Sequence, residues 1–178
     1  MNKLCKLVNS KFNYVVNEVI SINNFCNEDI LHNLYRIKFV KNPKYSYNGN
    51  SSCGAACLIL GKLLLKNNYD VKMYLYKFGY GSYYEDHVYL KYKNIIIDPT
   101  YKQFYNTNLG KGMSEYDNYL YNELPPFFVG THSDLNSLHN SLSYRYKKEF
   151  NYNLDNDNLR YWNGKKDITN LFNNDRSM

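Results

Sequence analysis

Two β-prone runs, Asp86-His87-Val88-Tyr89-Leu90-Lys91-Tyr92 and Ile95-Ile96-Ile97-Asp98, are separated by only Lys93 and Asn94. So short a connection predicts an antiparallel hairpin, although Lys-Asn is not the favoured Asn-Gly pair, and it sets the register. With Tyr92 opposite Ile95, Tyr89 falls opposite Asp98. Side chains alternate, so His87 and Asp98 share a face as diagonal neighbours, with Cβ atoms within about 8 Å. A three-residue turn would reverse that parity and part them. Pro99 follows at once and, lacking an N–H, ends the ladder.

Upstream, Asn50-Ser51-Ser52-Cys53-Gly54-Ala55-Ala56-Cys57 leads into Leu58-Ile59-Leu60-Gly61-Lys62-Leu63-Leu64-Leu65. A turn-prone Tyr47-Asn48-Gly49-Asn50 before a run of strong helix formers predicts a helix that opens at Cys53. The unsatisfied N–H groups and the positive dipole end of such a terminus favour thiolate over thiol. Ala55 and Ala56 are the only alanines in a chain otherwise rich in Asn, Tyr, Lys and Ile. Small side chains there let the first turn approach another element closely, and Gly54 leaves room for a substrate backbone. The competing reading is a packed core helix with two buried thiols, and for Cys57, one turn deeper, it is the preferred one.

The remaining chain reads as one domain, 1–178, that covers this centre. Leu4, Leu7, Val8, Phe12, Val15, Val16, Val19 and Ile20 recur at helical spacing, and Asn27 is placed to cap a second helix through Val40; Cys26 and His32 lack partner spacing and are read as structural. Val71–Phe78 alternates as a strand. Gly79–Asp86 and Tyr105–Gly112 read as loops at the open rim of a groove. Ser114 is placed to cap a short helix through Leu124, Pro125–Gly130 to form an edge strand, and Ser133 or Asp134 to cap a helix to about Phe150. The tail from Asn151 suggests a turn or hairpin, with fraying at the end.

Charge and cysteine usage bound the function. The net charge is +6 with 21 tyrosines, yet the lysines, Lys62, Lys91, Lys93 and Lys102 among them, are scattered without an Arg cluster, which describes a solvated surface more than a nucleic-acid site. Four cysteines without CxxC, and no secretory leader, point to thiols in a reducing compartment, cytoplasmic or otherwise intracellular. No apolar run approaches membrane-spanning length.

A thiolate nucleophile needs an imidazole partner, and the imidazole needs an acceptor that fixes its tautomer. Cys53, His87 and Asp98 supply those roles, with Asp86, beside His87, as a second acceptor candidate. His132 and His139 have no acidic partner in a paired-strand position. A zinc site of Cys53, Cys57, His87 and Asp98 is the rival assignment, but it leaves Asp98-Pro99-Thr100 and the small-residue helix opening without a purpose.

The segments Cys53-Gly54-Ala55-Ala56-Cys57, Asp86-His87-Val88-Tyr89-Leu90 and Ile96-Ile97-Asp98-Pro99-Thr100 resemble the Cys-His-Asp core of the transglutaminase-like superfamily, and the first also resembles the nucleophile motif of bacteriocin-leader peptidases. The resemblance covers about 49–104, a third of the chain. It implies an α+β, papain-like fold in which a nucleophile helix packs on an antiparallel sheet. It also implies an enzyme without cofactor or metal that forms a thioester on an amide of a protein or peptide, as a thiol peptidase or glutamine deamidase, with transglutaminase or a catalytically idle binding domain as alternatives. The Gln that precedes the nucleophile in papain-like peptidases has no counterpart. Oxyanion candidates are therefore the backbone N–H groups at Cys53 and Gly54, then the Asn48 and Asn50 side chains.

Overall fold

The computed structural model describes residues 1–23, 52–80, 83–105 and 119–173. Expectations for Cys26, the helix capped by Asn27, His32, Asn48, Asn50, Tyr105–Gly112 beyond Tyr105, and Ser114 concern residues outside that set.

A five-stranded antiparallel sheet organises the fold. Its strands are β1 (Lys72–Tyr80), β2 (Tyr83–Tyr92), β3 (Ile95–Asp98), β4 (Phe128–Gly130) and β5 (Lys166–Asp167), in spatial order β4-β3-β2-β1-β5. The outer strands are three and two residues long, which leaves little exposed edge to template aggregation. The β2–β3 register is Tyr92↔Ile95, Lys91↔Ile96 and Leu90↔Ile97, as the two-residue gap requires. Lys93 carries the positive φ, 57°, that such a turn demands.

One expectation fails here. Gly79–Asp86 is not a loop at a groove rim, because Lys77↔Asp86, Phe78↔Glu85, Gly79↔Tyr84 and Tyr80↔Tyr83 continue the β1–β2 ladder and leave only Gly81 and Ser82 between the strands. The aromatic residues on both arms favour strand strongly enough to carry the pairing past Gly79.

Each face of the sheet is covered. Met73, Leu75, Val88, Leu90 and Ile97 face one core, closed by α1 (Asn2–Asn23) and α2 (Ser52–Lys66). Helix α1 contributes Leu4, Val8, Phe12, Val15, Val16 and Val19, the stripe that its spacing predicts. Gly61 on α2 leaves room for the Phe172 ring. Tyr89 and Ile96 face a second core, closed by the 3-10 helix Tyr101–Tyr105, α3 (Tyr119–Glu123), α4 (His132–Phe150) and the 3-10 helix Asn156–Trp162.

Helix α4 is capped by Thr131, not by Ser133 or Asp134. Asp134 N–H donates to Thr131 Oγ1 at 3.1 Å and Thr131 N–H to Asp134 Oδ2 at 2.7 Å, a reciprocal capping box that places Asp134 inside the first turn. Lys102 also departs from the solvated-lysine expectation. Its stem lies in the second core, its ammonium donates to Leu124 O and sits 4.4 Å from the Tyr121 ring centre, and burial lowers its pKa to about 8. A helix-end carbonyl and an aromatic face replace water around the charge.

His139 is 2% exposed, and neither ring nitrogen has a hydrogen-bond partner. Burial pushes its pKa below the ordinary value, against a smaller opposing pull from Asp155. The unfolded chain therefore binds this proton more readily than the folded one. Stability from the neutral ring is present above about pH 6.5 and is lost as the pH falls toward the depressed folded value. His139→Leu is expected to flatten that acid limb, measured as the urea midpoint at pH 5.5 and 7.5; a limb of unchanged slope would acquit His139.

Candidate active site

The local chemistry of Asp98-Pro99-Thr100 builds the carboxylate end of the site. Pro99 stops β3, and the chain turns so that Thr100 N–H and Thr100 Oγ1 donate to Asp98 Oδ1 at 2.8 and 3.0 Å. Asp98 Oδ2 then accepts from His87 Nε2 at 2.7 Å and from Trp162 Nε1 at 2.7 Å. All four donors converge on one carboxylate that is 0% exposed, which meets the requirement that a buried charge be paired and hydrogen-bonded. Asp98, not the neighbouring Asp86, is the residue that holds the imidazole.

The end of β3 also lets the helix in. Beyond Leu90 toward its start, β2 has no β3 residue paired to it. There the Cys57 thiol donates to Val88 O at 3.3 Å and docks the first turns of α2 on the strand. Burial pushes the Cys57 thiol well above its ordinary pKa, with Asp98 and Cys53 adding to the rise, so Cys57 is the structural thiol that its deeper position predicts. One turn earlier, Cys53 lies at the start of α2, buried beside Gly54, and is near enough to His87 to help raise the pKa of its ring.

His87 is thus joined to Asp98, and Cys53 lies close enough to influence it. Its strongest environmental influence is burial, which disfavours the imidazolium. The charge and hydrogen bond of Asp98, followed by the hydrogen bond and charge of Cys53, outweigh it and raise the pKa to about 9. An aromatic box surrounds the ring, with Phe104 at 4.8 Å, Trp162 at 5.8 Å, Tyr89 at 6.1 Å and Tyr161 at 6.4 Å between centroids. An imidazole whose pKa is raised beside a cysteine is the kind of partner that thiolate chemistry uses.

Two residues of the site escaped the sequence reading. Trp162 comes from the tail and is locked by Tyr89, whose hydroxyl donates to Trp162 O at 2.7 Å and to Gly164 O at 3.3 Å. Gly164 lies so close to the Leu75–Tyr76 backbone of β1 that a side chain at that position would collide with it. Gln103, from the 3-10 helix after Thr100, places Nε2 3.1 Å from His87 Nδ1. The available signals were Trp162 being the single tryptophan and Gln103 lying five residues after Asp98.

Among the described residues no group of three or more His, Cys, Asp or Glu is arranged to hold a metal ion, and Cys57 is turned to a carbonyl. None of Cys5, Cys53 and Cys57 forms a disulfide. A cleft of about 460 Å³ opens elsewhere, between Asn68, Asp70, Lys72, Tyr74, Lys91, Tyr92 and Lys93, and contains none of the three site residues. No described helix is long and apolar enough to cross a membrane. Comparison with protein-family models, curated proteins and solved structures returned no match.

Proposed function

We propose that this chain is a cysteine-dependent hydrolase or acyltransferase that acts on an amide of a protein or peptide through a thioester, as a thiol peptidase or glutamine deamidase. The observation that carries the proposal is the His87 ring, hydrogen-bonded to the buried Asp98 carboxylate through Nε2, with Cys53 at the opening of α2 among the groups that raise its pKa. In the proposed cycle Cys53 Sγ attacks the carbonyl carbon. His87 gives its Nδ1 proton to the departing amine, then takes a proton from the water that cleaves the thioester. Asp98 holds the Nε2–H tautomer throughout. The order of nucleophile helix, His strand and Asp strand supports the papain-like, transglutaminase-like form of the α+β fold. The proposal leaves the oxyanion to backbone N–H groups of the first turn of α2, at Cys53 and Gly54.

A second reading, a catalytically idle domain of the same form, draws its support from burial: Cys53 is 2% exposed and His87 0%. Labelling separates the two. Exposure alone ranks Cys5, which is partly exposed, ahead of Cys53. An activated site is expected to invert that order, with Cys53 alkylated by mild iodoacetamide below pH 7 before Cys5 and the preference lost in His87→Ala, as read by peptide mass. Labelling of Cys53 no faster than Cys5 counts against the enzyme.

A further inference from the structure

Gln103 is 8% exposed and its side chain is half satisfied: Nε2 faces His87 Nδ1, while Oε1 is buried with no hydrogen-bond partner. An orphaned carbonyl oxygen in a buried carboxamide calls for an explanation. His87 Nε2 is committed to Asp98, so Nδ1 is the ring nitrogen left to exchange a proton. That nitrogen alternates between acceptor, in the neutral ring, and donor, in the imidazolium. The NH2 of Gln103 suits only the first state; against a protonated Nδ1 it sets donor against donor. Its unused Oε1 suits only the second. Rotation of the amide by half a turn exchanges the two atoms with no change in shape.

We infer that Gln103 is a positioning residue whose carboxamide follows the charge of His87, presenting NH2 to the neutral ring and Oε1 to the imidazolium, and so holds the ring at one place through both halves of the proton cycle. No proton passes to Gln103. The proton moves between Cys53 Sγ and His87 Nδ1, or from Nδ1 to a leaving amine, and the amide only reorients. The covering 3-10 helix fixes the backbone that carries the amide, because Tyr101–Tyr105 is packed in the second core and Asn158 Nδ2 donates to Phe104 O at 2.7 Å. The catalytic consequence rests on the cysteine-enzyme reading, whereas the coupling between the two side chains does not.

The test follows the ring and the amide separately, by NMR on the full chain labelled with 15N at histidine and glutamine, without substrate. Expected is a Gln103 side-chain resonance that moves with the same midpoint as His87 and stays flat in His87→Phe. A Gln103 resonance that ignores the His87 transition overturns the inference; so does a ring that keeps one charge state from about pH 5 to 10, since there is then nothing to follow. If turnover is found, Gln103→Met is expected to lower kcat about tenfold with KM nearly unchanged. Absence of turnover with coupled titrations sinks the enzyme reading alone, and turnover with uncoupled titrations sinks this one alone.

Discussion

Asp98→Asn is expected to fold and to lose about four orders of magnitude in kcat, the scale on which a triad depends on its carboxylate. The substitution preserves bulk but replaces one acceptor atom by an NH2. Four donors surround this side chain, two from Thr100, one from His87 and one from Trp162, so the NH2 must confront at least one of them. If it faces His87, Nε2 must become an acceptor and the proton moves to Nδ1, the wrong tautomer for taking a proton from Cys53. Loss of the Asp98 charge also removes the chief support of the raised His87 pKa, leaving burial to push it down against the weaker upward pull of Cys53.

That shift has a signature independent of activity. In the native chain the folded pKa, about 9, exceeds the unfolded value near 6.5, so the ring contributes stability fully present below about pH 6.5 and lost as the pH rises through 9. In Asp98→Asn the alkaline decline of the urea midpoint is expected to disappear. Full activity in the variant, with the decline intact, would make Asp98 a strand end and nothing more.

The parts of the candidate site that were legible in the sequence are those decided by short-range rules. His87 and Asp98 meet because a two-residue turn has one parity, and Pro99 ends the ladder because it lacks an N–H. Cys57 is buried for a reason that its position one turn inside the helix already contains. By contrast, Trp162 lies 64 residues from Asp98, and no periodicity links a tail residue to a strand end. The packing of Gly164 on β1 that brings it there is a tertiary fact. Lys102 misled because lysine composition predicts solvation on average, whereas this one has a helix-end carbonyl within reach. The Thr131 cap was recoverable, since Thr131-x-x-Asp134 before an apolar spacing is a capping-box pattern.

Trp162 carries the other large effect, and two substitutions divide it into packing and hydrogen bonding. Trp162→Ala empties a fully buried volume between His87, Phe104 and Tyr89, and the cost is expected at about 3–5 kcal/mol, seen as a lower urea midpoint. Trp162→Phe keeps most of the ring but deletes the indole N–H, so Asp98 Oδ2 retains His87 as its sole donor. A hydrogen bond to a buried charge is worth about 1.5–3 kcal/mol, which corresponds to roughly ten- to a hundredfold in rate if the bond matters in the transition state. The Phe variant is therefore expected to lower kcat by that factor while KM stays near the native value, because the indole touches the carboxylate and the aromatic box and acts on catalysis through them. The tail residues 156–164 would then belong to the catalytic unit, which extends it beyond the 49–104 segment that carries the three side chains. A Phe variant with native kcat would leave Trp162 as packing alone, and the carboxylate would then be held well enough by Thr100 and His87.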